Sequence, residues 1–348
     1  MMAADSVAKA ADTEGIEWPS GRLLATKRSF FRLGGDDMRH GMIRLALALT
    51  AAHAAAAIGQ SAAMGMAAPQ SFATPEAGAK ALAQAVKAND LEALQAIFGA
   101  DASRLLHSGD DVADAHNRQR FNMAYNEAHK LVSHGAESET LVVGKDQWPM
   151  PIPLVKHGGG WMFDTLAGED EILRRRIGRN ELSAMRVCEA IVAAEHQYAT
   201  QHLDGDGMPV YTARMASSPQ RHDGLYWPTP ASEQPSPLGL LLANAAAEGY
   251  DNAKDEPLAP YHGYYYRILT RQGKAAAGGE RDYVVHGKLM GGFAVLAYPA
   301  QYRASGVMSF MVDREGAIYA KDLGADTEQI VASLTSFDPD PSWKHDGP

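Results

Sequence analysis

A single cysteine, Cys188, stands in the 348 residues. No internal disulfide can form, so the fold must be held by buried apolar surface and not by cross-links. With 46% hydrophobic residues, a chain of this length can supply that burial, most naturally as two domains of ordinary size. Cys188 shares helical spacing with Ala184, Met185 and Val192. That spacing reads as a structural thiol on an apolar stripe, against the alternative of a nucleophile.

Leu45 to Ala57 reads LALALTAAHAAAA and follows Arg39, His40 and Arg44. Positive charge, a short apolar run and then small residues is the layout of a bacterial export signal. The run is shorter than the roughly 20 apolar residues a membrane span needs. The expectation is therefore cleavage between Ser61 and Ala68, a mature chain in the periplasm or outside the cell, and no stable span after cleavage. The signal sits deep in the chain. An upstream start codon, with Met38 or Met42 as the true start, accounts for that. The alternative uses Thr26-Lys27-Arg28-Ser29-Phe30-Phe31 as a variant twin-arginine motif, although Asp36 and Asp37 intervene.

The chain carries a formal charge of −10. Residues 1–67 hold 7 Lys+Arg and 6 Asp+Glu, so the expected mature chain stands at −11. That balance argues against a nucleic-acid partner, which needs clustered cations, and against docking on anionic lipid.

Residues 68–178 read as a first α+β domain. Thr74 caps a helix with Pro75 in its first turn, and Ala79, Leu82, Ala83 and Val86 form its apolar face. Asn89 ends it; Asp90 caps a second helix, Leu91 to Phe98, closed by Gly99. A third helix is predicted from Asp111 to Val132, with Phe121, Ala124, Tyr125, Ala128 and Val132 inward. Strands follow: Leu141 to Val143, then a hairpin of Ile152 to Lys156 and Trp161 to Thr165 around His157-Gly158-Gly159-Gly160. Pro149, Pro151 and Pro153 restrict pairing near it. Glu169 to Ile177 reads as helix, interrupted at Gly178. Asn180 is placed to cap a new helix with Val187, Ile191, Ala194 and Tyr198 on one face.

Residues 179–348 read as a second α+β domain. After the long helix, residues 203–260 are rich in Gly, Pro, Asp and Ser, with one short helix, Leu238 to Glu248; they read as packed loops. Strands are predicted at Tyr264 to Thr270, Tyr283 to His286, Gly292 to Tyr298, Val307 to Val312 and Ala317 to Lys321. Asp313-Arg314-Glu315-Gly316 turns between the last two.

Five strings stand out: VGKDQWPMPIPLV (143–155), GGWMFDTLAGEDEILRRRIGRNEL (159–182), DGLYWP (223–228), PYHGYYYRILT (260–270) and GGFAVLAYPAQYRASGVMSFMVDREGAIYAKDLG (291–324). On these blocks the chain resembles the bacterial domain-of-unknown-function family 2950 from Phe72 to Trp343. The resemblance implies an exported envelope protein and transfers no catalytic residues. One departure is Arg221-His222, where the family pattern has a basic pair. In shape, residues 72–165 look like the helix-and-curved-sheet cone of nuclear-transport-factor-like domains. Residues 181–324 look like a pilin head without the apolar N-terminal helix that polymerisation needs. Likeness of fold assigns no function.

Four constellations offer chemistry, each beside a plainer reading. Arg221, Asp223, Tyr226 and Trp227 form either a stacking platform for a sugar or peptide or a loop anchor. Tyr261, His262 and Tyr264 form either an acid–base group in a cleft or ordinary sheet packing, with Tyr264 and Tyr266 on one face and Tyr265 on the other. Asp204 and Asp206 in Leu203-Asp204-Gly205-Asp206-Gly207 suggest Ca²⁺ or a polar turn; in an EF-hand register His202 and Ala213 occupy ligand positions they cannot fill. Arg174, Arg175, Arg176 and Arg179 either clamp an anion or face solvent at a helix end, with Asp164 placed to pair with one of them. The sequence contains no nucleophile elbow, zinc-protease, C-x-x-C, phosphate-loop or dinucleotide motif. The reading that follows is a non-enzymatic binding or accessory module that meets an envelope protein or small ligand and needs no cofactor. The alternatives are a polymer hydrolase acting through Asp223, His262 or Asp206, and a secretion or pilus accessory.

Overall fold

Thr74 and Asp90 behave as helix caps because each side-chain oxygen accepts an orphan backbone N–H, from Ala77 and Ala93 respectively. They start α1 (Pro75–Ala88) and α2 (Leu91–Phe98). Asn89 joins the two in the left-handed region, at φ 52°. The computed structural model describes residues 68–230, 232–250 and 259–345. The export-signal segment and the residues before it lie outside them.

A short helix α3 (Ser103–Leu106) and α4 (Asp111–Glu127) follow, then β1 (His129–Ser133), β2 (Ser138–Val143), β3 (Trp148–Pro149), β4 (Leu154–His157) and β5 (Gly160–Phe163). All pairings are antiparallel, in the order β1-β2-β4-β5, with β3 on β2. The predicted third helix therefore stops five residues early. Ala128 is already extended at φ −161°, and Val132 pairs with Thr140 on β2. An apolar residue at that position suits a strand as well as a helix, so periodicity alone could not place the boundary. Phe121, Ala124 and Tyr125 do pack inward, against a first core that includes Leu82, Leu94, Leu141, Ile152, Leu154 and Phe163.

One helix, α5, runs unbroken from Thr165 to Gln201. At about 1.5 Å per residue its 37 residues extend ~55 Å. The expected interruption at Gly178 does not occur. Asn180 caps nothing and donates to the Ser305 carbonyl at 2.8 Å. Among the described residues Asp164 pairs with no arginine; it caps α5 by accepting from the Ala167 N–H.

The remaining elements are α6 (Gly239–Ala247), β6 (Tyr264–Leu269), β7 (Arg271–Gln272), β8 (Arg281–Asp282), β9 (Val284–Val285), β10 (Lys288–Leu289), β11 (Ala294–Pro299), β12 (Met308–Asp313), β13 (Ile318–Asp322), α7 (Thr327–Ser333) and β14 (Lys344–His345). The main sheet is antiparallel in the order β14-β13-β12-β11-β6. Alternation divides its faces. Ile268, Val295, Ala297, Phe310 and Val312 point to a core shared with Val187, Cys188, Ile191 and Tyr198 of α5. Leu269, Leu296 and Met311 point to the opposite face, which Val331, Phe337 and Trp343 cover. The fold is α+β, and all of it lies in one compact unit, Ser61–Pro348. Among the described residues, no helix is long and apolar enough to cross a membrane.

Candidate functional site

The loop after α5 is tied down from several sides. Both carboxylate oxygens of Asp223 are bound by Ser218, one by its N–H at 2.6 Å and the other by its hydroxyl at 2.8 Å. Those bonds hold the Asp223 carboxyl below the usual carboxylate range. The Asp223 carbonyl accepts from Thr212, and the His222 carbonyl accepts from the Tyr198 hydroxyl on α5. Tyr226 exchanges backbone hydrogen bonds with Met215 and Ser217. Tyr226 and Trp227 pack on the α5 core while staying half-buried. The His222 ring stacks on Trp227 at 4.2 Å, and Arg221 is exposed beside them. The four sequence-predicted residues thus share one loop, on which the stacked His222 and Trp227 rings form an aromatic ledge.

The second cluster sits where the two halves meet. Tyr261 and Tyr264 exchange backbone hydrogen bonds around His262 and Gly263, whose φ values are 51° and 78°. That is a two-residue turn of the hairpin kind, for which glycine at the second central position is the usual signal. Tyr264 continues into β6, fully buried, and its hydroxyl donates to the Met308 carbonyl at 2.9 Å. Tyr265 faces the other way, with its ring 5.5 Å from that of Tyr298. The His262 ring lies 4.1 Å from that of Tyr261, and its Nε2 stands 3.7 Å from a carboxylate oxygen of Glu248. Burial pushes the imidazole below its ordinary pKa despite Glu248, with His116 of α4 adding to the effect.

Asp110 holds this turn from the other half. Its Oδ1 caps α4 through Ala113, and its Oδ2 accepts from the Tyr250 hydroxyl at 3.0 Å and the Gly263 N–H at 2.7 Å. Burial raises its pKa against the effect of those bonds. Beside it, Asp114 accepts from the Ser108 N–H and lies 4.0 Å from Arg176, which donates to the Arg104 and Leu105 carbonyls. The sequence reading started this helix at Asp111 and missed both the cap by Asp110 and its reach to residues 250 and 263.

Asp204 and Asp206 occupy a tight turn. One Asp204 oxygen accepts from the N–H groups of Asp206 and Met208, which lowers its pKa. Among the described residues, no group of three His, Cys, Asp or Glu side chains is placed to hold a metal ion.

Sequence reasoning missed Glu195. It lies fully buried on the inward stripe of α5, and one carboxylate oxygen accepts from the Thr212 N–H at 3.1 Å. Among the described residues, the other oxygen has no hydrogen-bond partner. Burial pushes the carboxyl up to about 8. The signal was an acid among Ile191, Val192, Ala194 and Tyr198, where an amphipathic helix should show none. Nearby, an open cleft of about 580 Å³ lies between α5 and the Asp313–Gly316 turn; His196, Tyr211 and Arg314 line it. His196 Nε2 is 2.7 Å from the Arg314 carbonyl.

Neither the curated proteins nor the solved structures include a significant match to this chain. The sequence profile described as "Protein of unknown function (DUF2950)" matches residues 69–345, which takes in both cores, the long helix and every cluster described above. The chain therefore belongs to that family.

Proposed function

We propose that this is an exported envelope protein that works by binding and not by turnover. Its support is the way the polar groups of the 211–228 loop are used. Asp223 is spent on Ser218 through both oxygens and is held ionised, which makes it a poor proton carrier at neutral pH. What the loop leaves available is the ledge of Trp227 and His222 with exposed Arg221 alongside. An aromatic face with an adjacent cation suits a sugar or a peptide. Export rests on the charge-then-apolar pattern of residues 39–67.

The test has two arms. The purified protein is assayed against cell-wall fragments, peptides and esters; no turnover is expected, and turnover lost in Asp223→Asn would defeat the reading. Cell fractionation with N-terminal sequencing should recover a chain beginning between Ser61 and Ala68 from the envelope or medium. An intact leader in the cytosol would defeat the export arm alone.

One observation favours a hydrolase instead. Burial lowers the pKa of His262, which faces Glu248 at 3.7 Å and sits at the seam between the halves, where a general base could act. Activity abolished by His262→Ala, with folding intact, would select that alternative.

A further inference from the structure

The cleft beside the Asp313–Gly316 turn has no part in the aromatic ledge, and its volume, about 580 Å³, is that of a small-molecule pocket. Its floor is one face of α5. Glu189, Val192, Ala193 and His196 follow at helical spacing, so they form a row along the helix. Glu189 and His196 stand two turns apart, about 10 Å. A second side is aromatic. The Tyr211 ring lies 4.9 Å from that of the fully buried Phe293 and stands edge-on to His196 at 6.1 Å. The Tyr211 N–H donates to the Leu289 carbonyl at 2.8 Å. A third side is the turn. One Asp313 carboxylate oxygen accepts from the N–H groups of Glu315 and Ala317, and His196 Nε2 donates to the Arg314 carbonyl at 2.7 Å. The sides are thus fixed by bonds that need no ligand.

Two charges in this cleft are left over. Arg314 spends its Nε on Glu315, and among the described residues its two Nη groups bond nothing. Glu189 makes no hydrogen bond and no ion pair among the described residues. The backbone of Arg314 enters at the His196 end of the row, where its carbonyl is bonded, and Glu189 stands at the other end. The cleft therefore offers a cation at one end, an anion about 10 Å along the helix and the apolar Val192 and Ala193 between them. An extended chain spans at most about 3.3–3.6 Å per residue, so about three residues match that separation. We propose that the cleft binds a short peptide of about three residues by both of its termini. The peptide carboxylate lies end-on against the Nη pair of Arg314, its ammonium meets Glu189, and small side chains pack on Val192, Ala193 and the Tyr211 ring. This site is separate from the ledge of Trp227 and His222 and does not depend on export.

The test is a calorimetric titration of the full-length protein with L-Ala-L-Ala-L-Ala, which should bind saturably. Amidating the peptide's C-terminus or acetylating its N-terminus should each weaken binding by about tenfold or more, the usual loss when a charge-assisted pair is removed. Arg314→Met should bind the free and the amidated peptide equally weakly. Glu189→Gln should bind the free and the acetylated peptide equally weakly. In each case the variant lacks the partner of the group that blocking removes, so the two losses do not add. Ala193→Trp, at an exposed position on the helix, fills the floor of the cleft and should abolish binding, with circular dichroism to check that the fold is kept. If Arg314→Met does not fold, the blocked peptides and Ala193→Trp decide the matter without it. Absence of saturable binding, or equal binding of the free peptide and one blocked at both ends, overturns the proposal. So does binding that survives Ala193→Trp, which would place the peptide elsewhere, the ledge included.

Discussion

Glu195 carries the clearest pH signature at the scale of one residue. A carboxyl whose folded pKa is raised binds its proton more tightly in the native state. Its contribution is thus complete below the unfolded value of 4.5 and is lost as the pH rises through about 8. A tenfold gain in proton affinity is worth about 1.4 kcal/mol, so the rise to about 8 amounts to several kcal/mol. The urea midpoint of the wild type should fall across that window. Glu195→Gln keeps an acceptor for the Thr212 N–H and has nothing to ionise, so its midpoint should stay nearly flat and exceed the wild type near pH 8. A parallel slope in the variant would show that another group is responsible. This residue was half legible in the sequence: its place on an apolar stripe was visible, but the Thr212 amide that meets it comes from a loop whose path no periodicity encodes.

Among the elements, α5 separates two glycines by their surroundings. A Cβ at Gly178 would meet nothing within 4 Å, whereas one at Gly168 would lie 2.3 Å from the Pro151 carbonyl oxygen. Gly178→Ala should therefore stabilise the protein by about 0.5–1 kcal/mol, the ordinary helix preference for alanine. Gly168→Ala should cost about 1–3 kcal/mol, because backbone has to move. Thermal melts of the two variants check both signs, and a loss of stability in Gly178→Ala would mean that the helix bends there. The same helix explains where sequence reading failed. Gly178 and Asn180 look like punctuation in a linear string, but packing on both sides carries the helix past them. Caps formed by Thr74, Asp90 and the Asp313 turn were readable because each is settled within four residues. The end of α4 was not, since strand pairing with β2 decided it.

At the level of the molecule, two apolar cores share α5 and meet at Asp110, Tyr250 and Gly263. Asp110→Ala removes a helix cap and strands the Gly263 N–H, for a combined cost of about 2–4 kcal/mol. Calorimetry should find one transition in the wild type and a broadened or split one in the variant; an unchanged single peak would place the coupling elsewhere along α5. The central strands of the larger sheet and the α+β class were legible, because alternation is local. The seam was not, because it is made by hydrogen bonds between residues 140 and 153 positions apart. The lone thiol of Cys188 lies at 0% exposure against β-sheet residues of the larger core, and burial pushes its pKa far up. While that interface stays shut the sulfur can neither ionise nor meet a reagent. Each native molecule therefore carries its own clock: an alkylating label added to the folded protein records how often the long rod lifts away from its sheet, with no probe engineered in.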